Sequence, residues 1–170
     1  MKKSSMSARD ALTLLREGNA RFVSATVTGP NRNAEQRSVT AQHGQEPFAT
    51  IVSCADSRVP LSVIFDRGIG DIFGLRIAGN ICSPELIGSI EYAVLHLGTP
   101  LVVMLGHSKC GAVTAVVQGE HVDGNLVPLV QHITPAVERA RTERSHLSGT
   151  DLVNAAIHEN MWFQIELLLE

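Results

Sequence analysis

Two clusters of chemically active side chains, Cys54–Arg58 and His107–Cys110, are the most informative features of this sequence. Together they hold two cysteines and one histidine, Cys54, Cys110 and His107, and thiolate sulfur and imidazole nitrogen are common ligands of Zn²⁺. Three protein ligands leave the fourth tetrahedral position for water or a substrate, which is typical of catalytic zinc sites. The sequence therefore predicts Zn²⁺ as a cofactor, with these three residues as its ligands.

Both clusters follow short apolar runs that contain β-branched residues, Phe48–Ser53 and Leu101–Leu105. Runs of this length and composition predict strands that are buried on both faces, as in parallel sheets. The carboxyl ends of neighbouring parallel strands form the crevice in which ligands bind. We therefore expect the two clusters to meet at one edge of a sheet. A buried thiol pair or a disulfide between Cys54 and Cys110 is the structural alternative.

The remaining chain alternates between helical and strand patterns, which predicts a parallel sheet with right-handed crossovers. We predict an α/β fold: a single domain over residues 1–170 with a central, mostly parallel β-sheet flanked by α-helices, and residues 1–25 as an N-terminal helical arm. The segment Thr26–Glu46 is polar and shows no clear period. The other predicted elements are a helix over Ala8–Val23, a helical turn over Pro60–Phe65, a strand over Ile72–Ile77, and helices from Ser83 to about Gly98, from Cys110 to about Gln118, over Leu126–Glu143 and over Asp151–Leu169.

Composition restricts the possible partners and location of the protein. The chain has 170 residues, 44% of them hydrophobic, and a net charge of −3, which gives no basic footprint for nucleic acid or for an anionic membrane surface. No segment reaches the roughly 18 consecutive apolar residues of a membrane-spanning helix. Three is an odd number of cysteines and does not suit a disulfide framework. Cys82 has no His or Asp beside it, unlike the other two cysteines and their clusters. We predict a cytoplasmic protein without nucleic-acid or membrane partners, although a removed leader peptide would leave no trace here.

Asp56 and Arg58 belong to the same cluster as Cys54 and offer two alternatives. Residues i and i+2 of an extended segment project to the same side, so the guanidinium of Arg58 can hold the carboxylate of Asp56 through two hydrogen bonds. Held in this way, Asp56 can accept a hydrogen bond from zinc-bound water and orient it. If Arg58 releases it, the same carboxylate can become a fourth ligand and close the site.

Five motifs in register resemble the β-class carbonic anhydrases, and the resemblance extends from about Ala8 to the last residue. The motifs are CADSRVP at Cys54–Pro60, IFDRGIGDIF at Ile64–Phe73, RIAGN at Arg76–Asn80, GSIEYAVLHLG at Gly88–Gly98 and LGHSKCGAV at Leu105–Val113. The resemblance implies a zinc enzyme that hydrates CO2 reversibly to bicarbonate and a proton by zinc-bound hydroxide. It implies Cys54, His107 and Cys110 as zinc ligands, Asp56 and Arg58 as the catalytic pair, and a homodimer or higher homo-oligomer.

The chain also departs from that family's pattern. Ile51 stands where members with a closed zinc site commonly have Trp, so we expect the open site. Arg67 stands where a Gln is frequent, and it either binds bicarbonate or faces solvent. The chain lacks the C-terminal segment with which members usually continue. The short C-terminus leaves a zinc-stabilised module without turnover as an alternative. Because the motifs do not encode the pocket that selects the substrate, a hydrolase of carbonyl sulfide or carbon disulfide at the same site is a second alternative.

Overall fold

The computed structural model describes residues 6–170 and contains a sheet of three strands, in the order β2-β1-β3, together with eight α-helices. The strands are β1 (Ala49–Ser53), β2 (Ile72–Arg76) and β3 (Val102–Leu105). The helices are α1 (Ala8–Val23), α2 (Ala34–His43), α3 (Leu61–Ile64), α4 (Pro84–Tyr92), α5 (Gly111–Gln118), α6 (Leu126–Gln131), α7 (Thr134–Glu143) and α8 (Gly149–Leu169). A 3₁₀ turn (Ala78–Asn80) follows β2, and a π-helical segment (Ala93–Leu97) extends α4.

The hydrogen bonds between β1 and β2 establish that these strands are parallel. The N–H of Phe48 donates to the carbonyl of Asp71, and seven residues later the N–H of Ala55 donates to the carbonyl of Ile77, so both partners advance along the chain together. On the other side of β1, the N–H of Thr50 donates to the carbonyl of Leu101. The predicted fold class, an α/β domain with a parallel sheet and flanking helices, is confirmed.

Local signals set the ends of several helices. The side chain of Ser7 caps α1 by accepting a hydrogen bond from the N–H of Asp10 at 3.1 Å. Pro84 begins α4, where its missing N–H is not needed. Gly98 ends the helical segment in the left-handed region at φ 74°, a conformation that favours glycine. These three signals are visible in the sequence, and the helices that they bound begin or end close to the predicted residues.

The chain forms two compact units, and each strand contributes its first part to unit 1 and its last part to unit 2. Unit 1 comprises the described residues up to Ile51 together with Ser57–Leu75 and Gly88–Val103, and unit 2 comprises Val52–Asp56, Arg76–Ile87 and Met104–Glu170. The domain bounds predicted from the sequence stay a prediction, and residues 1–5 of the predicted arm lie outside the described residues.

Unit 1 is organised around a buried carboxylate at the end of α3. Asp66 is fully buried and accepts hydrogen bonds from the guanidinium of Arg21 at 2.6 Å, from the N–H of Thr28 at 3.0 Å and from the N–H of Gly29 at 2.8 Å. These contacts tie α1 and the loop that follows it to α3. The three donors hold the pKa of Asp66 well below its ordinary value.

Unit 2 has a continuous apolar core that includes two of the predicted zinc ligands. The core is formed mainly by residues of α5, α7 and α8, together with residues that follow β1 and the 3₁₀ turn or directly precede α5 and α7. Its members are Cys54, Ile81, Cys110, Val113, Ile133, Val137, Ala140, Val153, Ala156 and Ile157. Burial of these side chains removes apolar surface from water, at about 25 cal/mol for each Å². The two cysteines are therefore held by the packing of unit 2.

Two parts of the helical prediction are wrong. The polar segment after α1 contains α2, which has no buried residue and therefore no apolar period for the sequence to show. The predicted helix over Leu126–Glu143 is two helices, α6 and α7, which are separated at His132 and Ile133. Pro135 lies in the first turn of α7, where it has no N–H to continue a helix from α6.

Candidate metal centre

The ends of β1 and β3 bring together the three residues that the sequence predicts as zinc ligands. Cys54 follows β1, while His107 and Cys110 follow β3, and one ligand atom from each lies within 4.8 Å of the other two. The two sulfur atoms are 4.0 Å apart and both thiols are free, so the disulfide alternative is wrong. All three residues belong to unit 2.

One ring nitrogen of His107 makes no hydrogen bond to any of the described residues. His107 Nδ1 lies 3.0 Å from the carbonyl oxygen of Ser108, which assigns the ring proton to Nδ1 and the lone pair to Nε2. Nε2 is buried and has no hydrogen-bond partner within residues 6–170. A buried polar atom without a partner is costly unless something binds it. A carbonyl that fixes the ring through its other nitrogen is the usual arrangement of a metal-binding histidine.

Burial disfavours free thiolates at this site. Desolvation is the main cause that raises the pKa of the Cys110 thiol, and the neighbouring Cys54 raises it further. The N–H groups of Val113 and Ala112, at the start of α5, act in the opposite direction. A divalent cation would neutralise two thiolates at this distance, and sulfur and imidazole donors suit Zn²⁺. The residues present therefore fit the predicted metal.

Arg76 fixes the backbone that carries Cys54 and Asp56. Its guanidinium donates to the carbonyl oxygens of three consecutive residues: Cys54 at 3.3 Å, Ala55 at 3.1 Å and Asp56 at 2.7 Å. A planar guanidinium with several donors is well suited to hold such a turn in one conformation. Arg76 lies in the RIAGN motif, but the sequence alone predicts no role for it. Hydrogen bonds from one side chain to three backbone carbonyls cannot be predicted from the sequence, because every residue carries a carbonyl and only the folded structure shows which ones are in reach.

The two residues predicted as the catalytic pair differ in how well the structure places them. Asp56 lies beside the centre, with Oδ2 4.0 Å from Nε2 of His107 and its side chain 19% exposed. Arg58 is exposed. The pairing of Asp56 with Arg58, and the catalytic role of both, stay predictions.

Arg67 does not point into solvent. One of its terminal nitrogens donates to the carbonyl of Leu14, its Nε is buried, and the guanidinium lies 5.4 Å from the centre of the Phe48 ring. These contacts all lie within unit 1. The solvent-facing alternative for Arg67 is therefore wrong, and bicarbonate binding by this residue stays untested.

A further contact with Cys54 comes from Gly79, a residue of the RIAGN motif for which the sequence predicts no role. The N–H of Gly79, in the 3₁₀ turn after β2, donates to the sulfur of Cys54 at 3.4 Å. The carbonyl of the same glycine accepts a hydrogen bond from the side chain of Asn160 at 2.9 Å. A polar residue on the apolar helix α8 is the sequence signal that could have drawn attention to Asn160.

Fold and donor set together define a class of protein: an α/β domain in which two cysteines and one histidine that could hold a metal ion lie at the carboxyl ends of parallel strands. In these respects it is suited to metal-dependent chemistry on a small molecule.

Comparison with known proteins identifies the family within this class. The profile of the carbonic anhydrase family matches residues 49–170. A carbonic anhydrase of Mycolicibacterium smegmatis is 42% identical over 141 residues, which are 81% of this chain and 67% of that protein. Carbonic anhydrase 2 of Mycobacterium tuberculosis is 43% identical over the same shares. The chain belongs to the carbonic anhydrase family, in its β class.

Solved structures agree with this assignment. The β-carbonic anhydrase CcaA superimposes with a TM-score of 0.69 at 30% identity, over 92% of this chain and 73% of that one. A tetrameric β-carbonic anhydrase of Sordaria macrospora has the same fold, with a TM-score of 0.72 at 24% identity over 95% and 82% of the two chains. The predicted family and enzyme class are therefore confirmed. Reversible hydration of CO2 is the general reaction of this family.

Among residues 6–170, no helix combines the length and the apolar character that crossing a membrane requires.

Proposed function

We propose that this chain is a zinc enzyme that hydrates CO2 reversibly to bicarbonate and a proton, with Cys54, His107 and Cys110 as the zinc ligands. The observation that carries the proposal is the convergence of two free thiols and one unpartnered imidazole nitrogen within 4.8 Å of one another. When bound, zinc supplies a Lewis acid that makes water acidic enough to act as a nucleophile near neutral pH.

Asp56 is the proposed proton-handling residue of this chain. Its carboxylate lies 4.0 Å from Nε2 of His107, the atom that faces the metal in this proposal. From there it can accept a hydrogen bond from the attacking water and fix the direction of the water's lone pair toward CO2. Arg76 supports this role because it holds the carbonyl of Asp56 and so restricts the backbone from which the carboxylate projects. Arg58 is proposed to hold the carboxylate itself.

We propose the open form of the site, in which Asp56 does not bind the metal. Among the described residues, the group whose ligand atoms all lie within 4.8 Å consists of Cys54, His107 and Cys110 and does not include Asp56. Three ligands leave a position for water, whereas a fourth protein ligand would remove it. The open form is therefore the one that supports turnover.

Metal content measured together with stopped-flow CO2 hydration tests the proposal. We expect about one zinc ion per chain and a hydration rate well above that of buffer. Cys54→Ser should lose both, whereas the matched control Cys82→Ser removes a buried thiol with no role in the site and should keep both. A zinc-free active protein would contradict the ligand assignment. A zinc-loaded protein that does not hydrate CO2, or that instead releases sulfide from carbonyl sulfide, would contradict the assigned reaction.

We also propose a homodimer or larger homo-oligomer. Large apolar side chains are exposed in both units, with Tyr92 49% exposed in unit 1 and Trp162 61% exposed in unit 2. A solved β-carbonic anhydrase with the same fold is tetrameric, which supports the proposal. Sedimentation velocity at micromolar concentration should give at least twice the mass of one chain, and a monomer would contradict the proposal.

For the compartment we propose the cytoplasm. All three cysteines are free thiols, and two of them must stay reduced to bind zinc. Free thiols of this kind persist in reducing compartments. Fractionation of the source cells, followed by detection of the protein, would test this location.

A further inference from the structure

A buried polar chain on α8 leads toward the metal centre. Asn160 is 1% exposed and Gln164 is fully buried, although both are amides on a largely apolar helix. The side-chain nitrogen of Gln164 donates to Oδ1 of Asn160 at 3.2 Å, and the nitrogen of Asn160 donates to the carbonyl of Gly79 at 2.9 Å. Burying an amide is costly unless its hydrogen bonds are made, so these residues have a reason to be polar.

Gly79 transmits this contact to the metal ligand. Its N–H donates to the sulfur of Cys54 at 3.4 Å, while its carbonyl is held by Asn160. The residue has a φ of 73°, and a Cβ added there would lie 2.5 Å from a side-chain carbon of Ile133. The two peptide groups that flank the Gly79 Cα are therefore fixed from both directions, by an amide on one side and by the ligand sulfur on the other.

We infer that Asn160 is a positioning residue of the metal centre, which holds Gly79 so that its N–H donates to the ligand sulfur of Cys54. This inference depends on the proposed function, because it takes Cys54 to be a metal ligand. A hydrogen bond to a thiolate draws electron density from the sulfur and weakens it as a donor. Two thiolates nearly neutralise the charge of Zn²⁺. Weaker donation by one of them leaves the metal a stronger Lewis acid, as the reaction requires.

The residue next to Asn160 supports the loop that carries another ligand. The N–H of Gly106 donates to the sulfur of Met161 at 3.1 Å, and Gly106 directly precedes His107. A Cβ on Gly106 would lie 2.4 Å from that sulfur, so the helix and the loop are in close contact. Two consecutive residues of α8 thus support two different proposed ligands. Met161 contacts Gly106, which precedes His107, and Asn160 contacts Gly79, whose N–H donates to the sulfur of Cys54.

The substitution Asn160→Leu tests the inference, because Leu has the same branched shape but donates no hydrogen bond. The matched control is Thr99→Val. It also removes a buried hydrogen bond, the one between the hydroxyls of Thr99 and Thr50 at 2.9 Å, but both residues belong to unit 1, whereas all three proposed ligands belong to unit 2. Each variant is loaded with Co²⁺, whose sulfur-to-metal charge-transfer absorption reports donation by the thiolates. Zinc affinity is measured by competition with a chelator.

For Asn160→Leu we expect the charge-transfer band to move to longer wavelength, because the Cys54 thiolate donates more strongly without the hydrogen bond from Gly79. Zinc affinity should nevertheless fall about tenfold or more, because the loss of the turn that positions the ligand outweighs the stronger donation. Thr99→Val should lose thermal stability but keep the band and the affinity of the parent. An unchanged band in Asn160→Leu, or equal shifts in both variants, would overturn the inference.

A second measurement needs no variant. In the parent protein loaded with NMR-active cadmium, the amide proton of Gly79 should show scalar coupling to the metal through the N–H···S hydrogen bond. Absence of that coupling, with cadmium bound, would also overturn the inference. Failure of the parent protein to bind any metal would contradict the proposed function instead, so the two failures can be told apart.

Discussion

At the scale of single residues, Asp56 is the side chain on which the proposed chemistry depends most directly. Asp56→Asn should keep zinc at one ion per chain but lower the rate of CO2 hydration at least about a hundredfold, because a neutral amide is a poor acceptor for a proton and proton transfer by a placed side chain is worth about 10²–10⁴ in rate. Stopped-flow assays of metal-quantified protein check this, with the exposed Asp123→Asn as control. A variant that works at the parent rate would exclude Asp56 from catalysis.

Cys82 shows how environment separates a structural cysteine from a ligand. It is 3% exposed, and burial raises the pKa of its thiol to about 11. Because the thiolate is the reactive form, native Cys82 should react with iodoacetamide at neutral pH at least about a hundred times more slowly than free cysteine. Mass spectrometry of the zinc-loaded protein measures this rate, and denatured protein is the control. Native labelling as fast as denatured labelling would contradict it.

At the scale of elements, Asp66 couples α1, the following loop and α3 in a way that depends on pH. The pKa of Asp66 is lower in the folded chain than in the unfolded chain, where it is about 3.9. Protonation therefore favours unfolding. The stabilisation by Asp66 is complete above about pH 4 and is lost as the pH falls through the folded pKa.

Asp66→Asn should therefore be less stable than the parent at neutral pH and should lose less further stability between about pH 4 and pH 2. Chemical unfolding across this range measures both effects. The exposed Asp151→Asn is the control, and it should keep the pH dependence of the parent. An Asp66→Asn curve parallel to that of the parent would show that this carboxylate does not carry the acid sensitivity.

The same elements show which structural features the sequence encodes locally. The strands before Cys54 and His107 were predictable because each is a short apolar run, and the proximity of the residues that follow them was predictable because parallel strands end at one edge of the sheet. Helix α2 was not, since it buries no residue: Asn33 caps it, and Gln36 anchors it through a hydrogen bond to the carbonyl of Ile69. A contact with a residue far along the chain leaves no period in the sequence.

The metal centre illustrates the same limit. The convergence of Cys54, His107 and Cys110 could be predicted because sulfur and imidazole are chemically distinct and each of the three follows a predicted strand. The supporting contacts could not be predicted, because the roles of Arg76 and Asn160 depend on backbone carbonyls that any residue carries. Gly79 lies in a recognisable motif, but the contact of its N–H with the sulfur of Cys54 depends on the conformation of the 3₁₀ turn, which the motif does not reveal.

At the scale of the whole molecule, the metal should stabilise the two compact units unequally. All three proposed ligands lie in unit 2, and two of them belong to its apolar core. A ligand that binds only the folded state stabilises it by mass action, by about 2.7 kcal/mol when its concentration is a hundred times its dissociation constant. Removal of zinc would leave two buried thiols and a buried imidazole nitrogen that makes no hydrogen bond to the described residues. Because these groups belong to unit 2, we expect unit 2 to lose more stability than unit 1.

Hydrogen exchange after chelation should therefore speed up most strongly in α5 and α8 of unit 2 and least in α1 of unit 1, because exchange reports local opening free energies. Mass spectrometry of peptides from both units, with and without chelator, measures the difference. Cys54→Ser is the control. Because this variant lacks one of the proposed zinc ligands, its amide hydrogens should exchange at the same rates with and without chelator. If chelation accelerated exchange equally in both units, the metal would act on the fold as a whole and not through the residues that bind it.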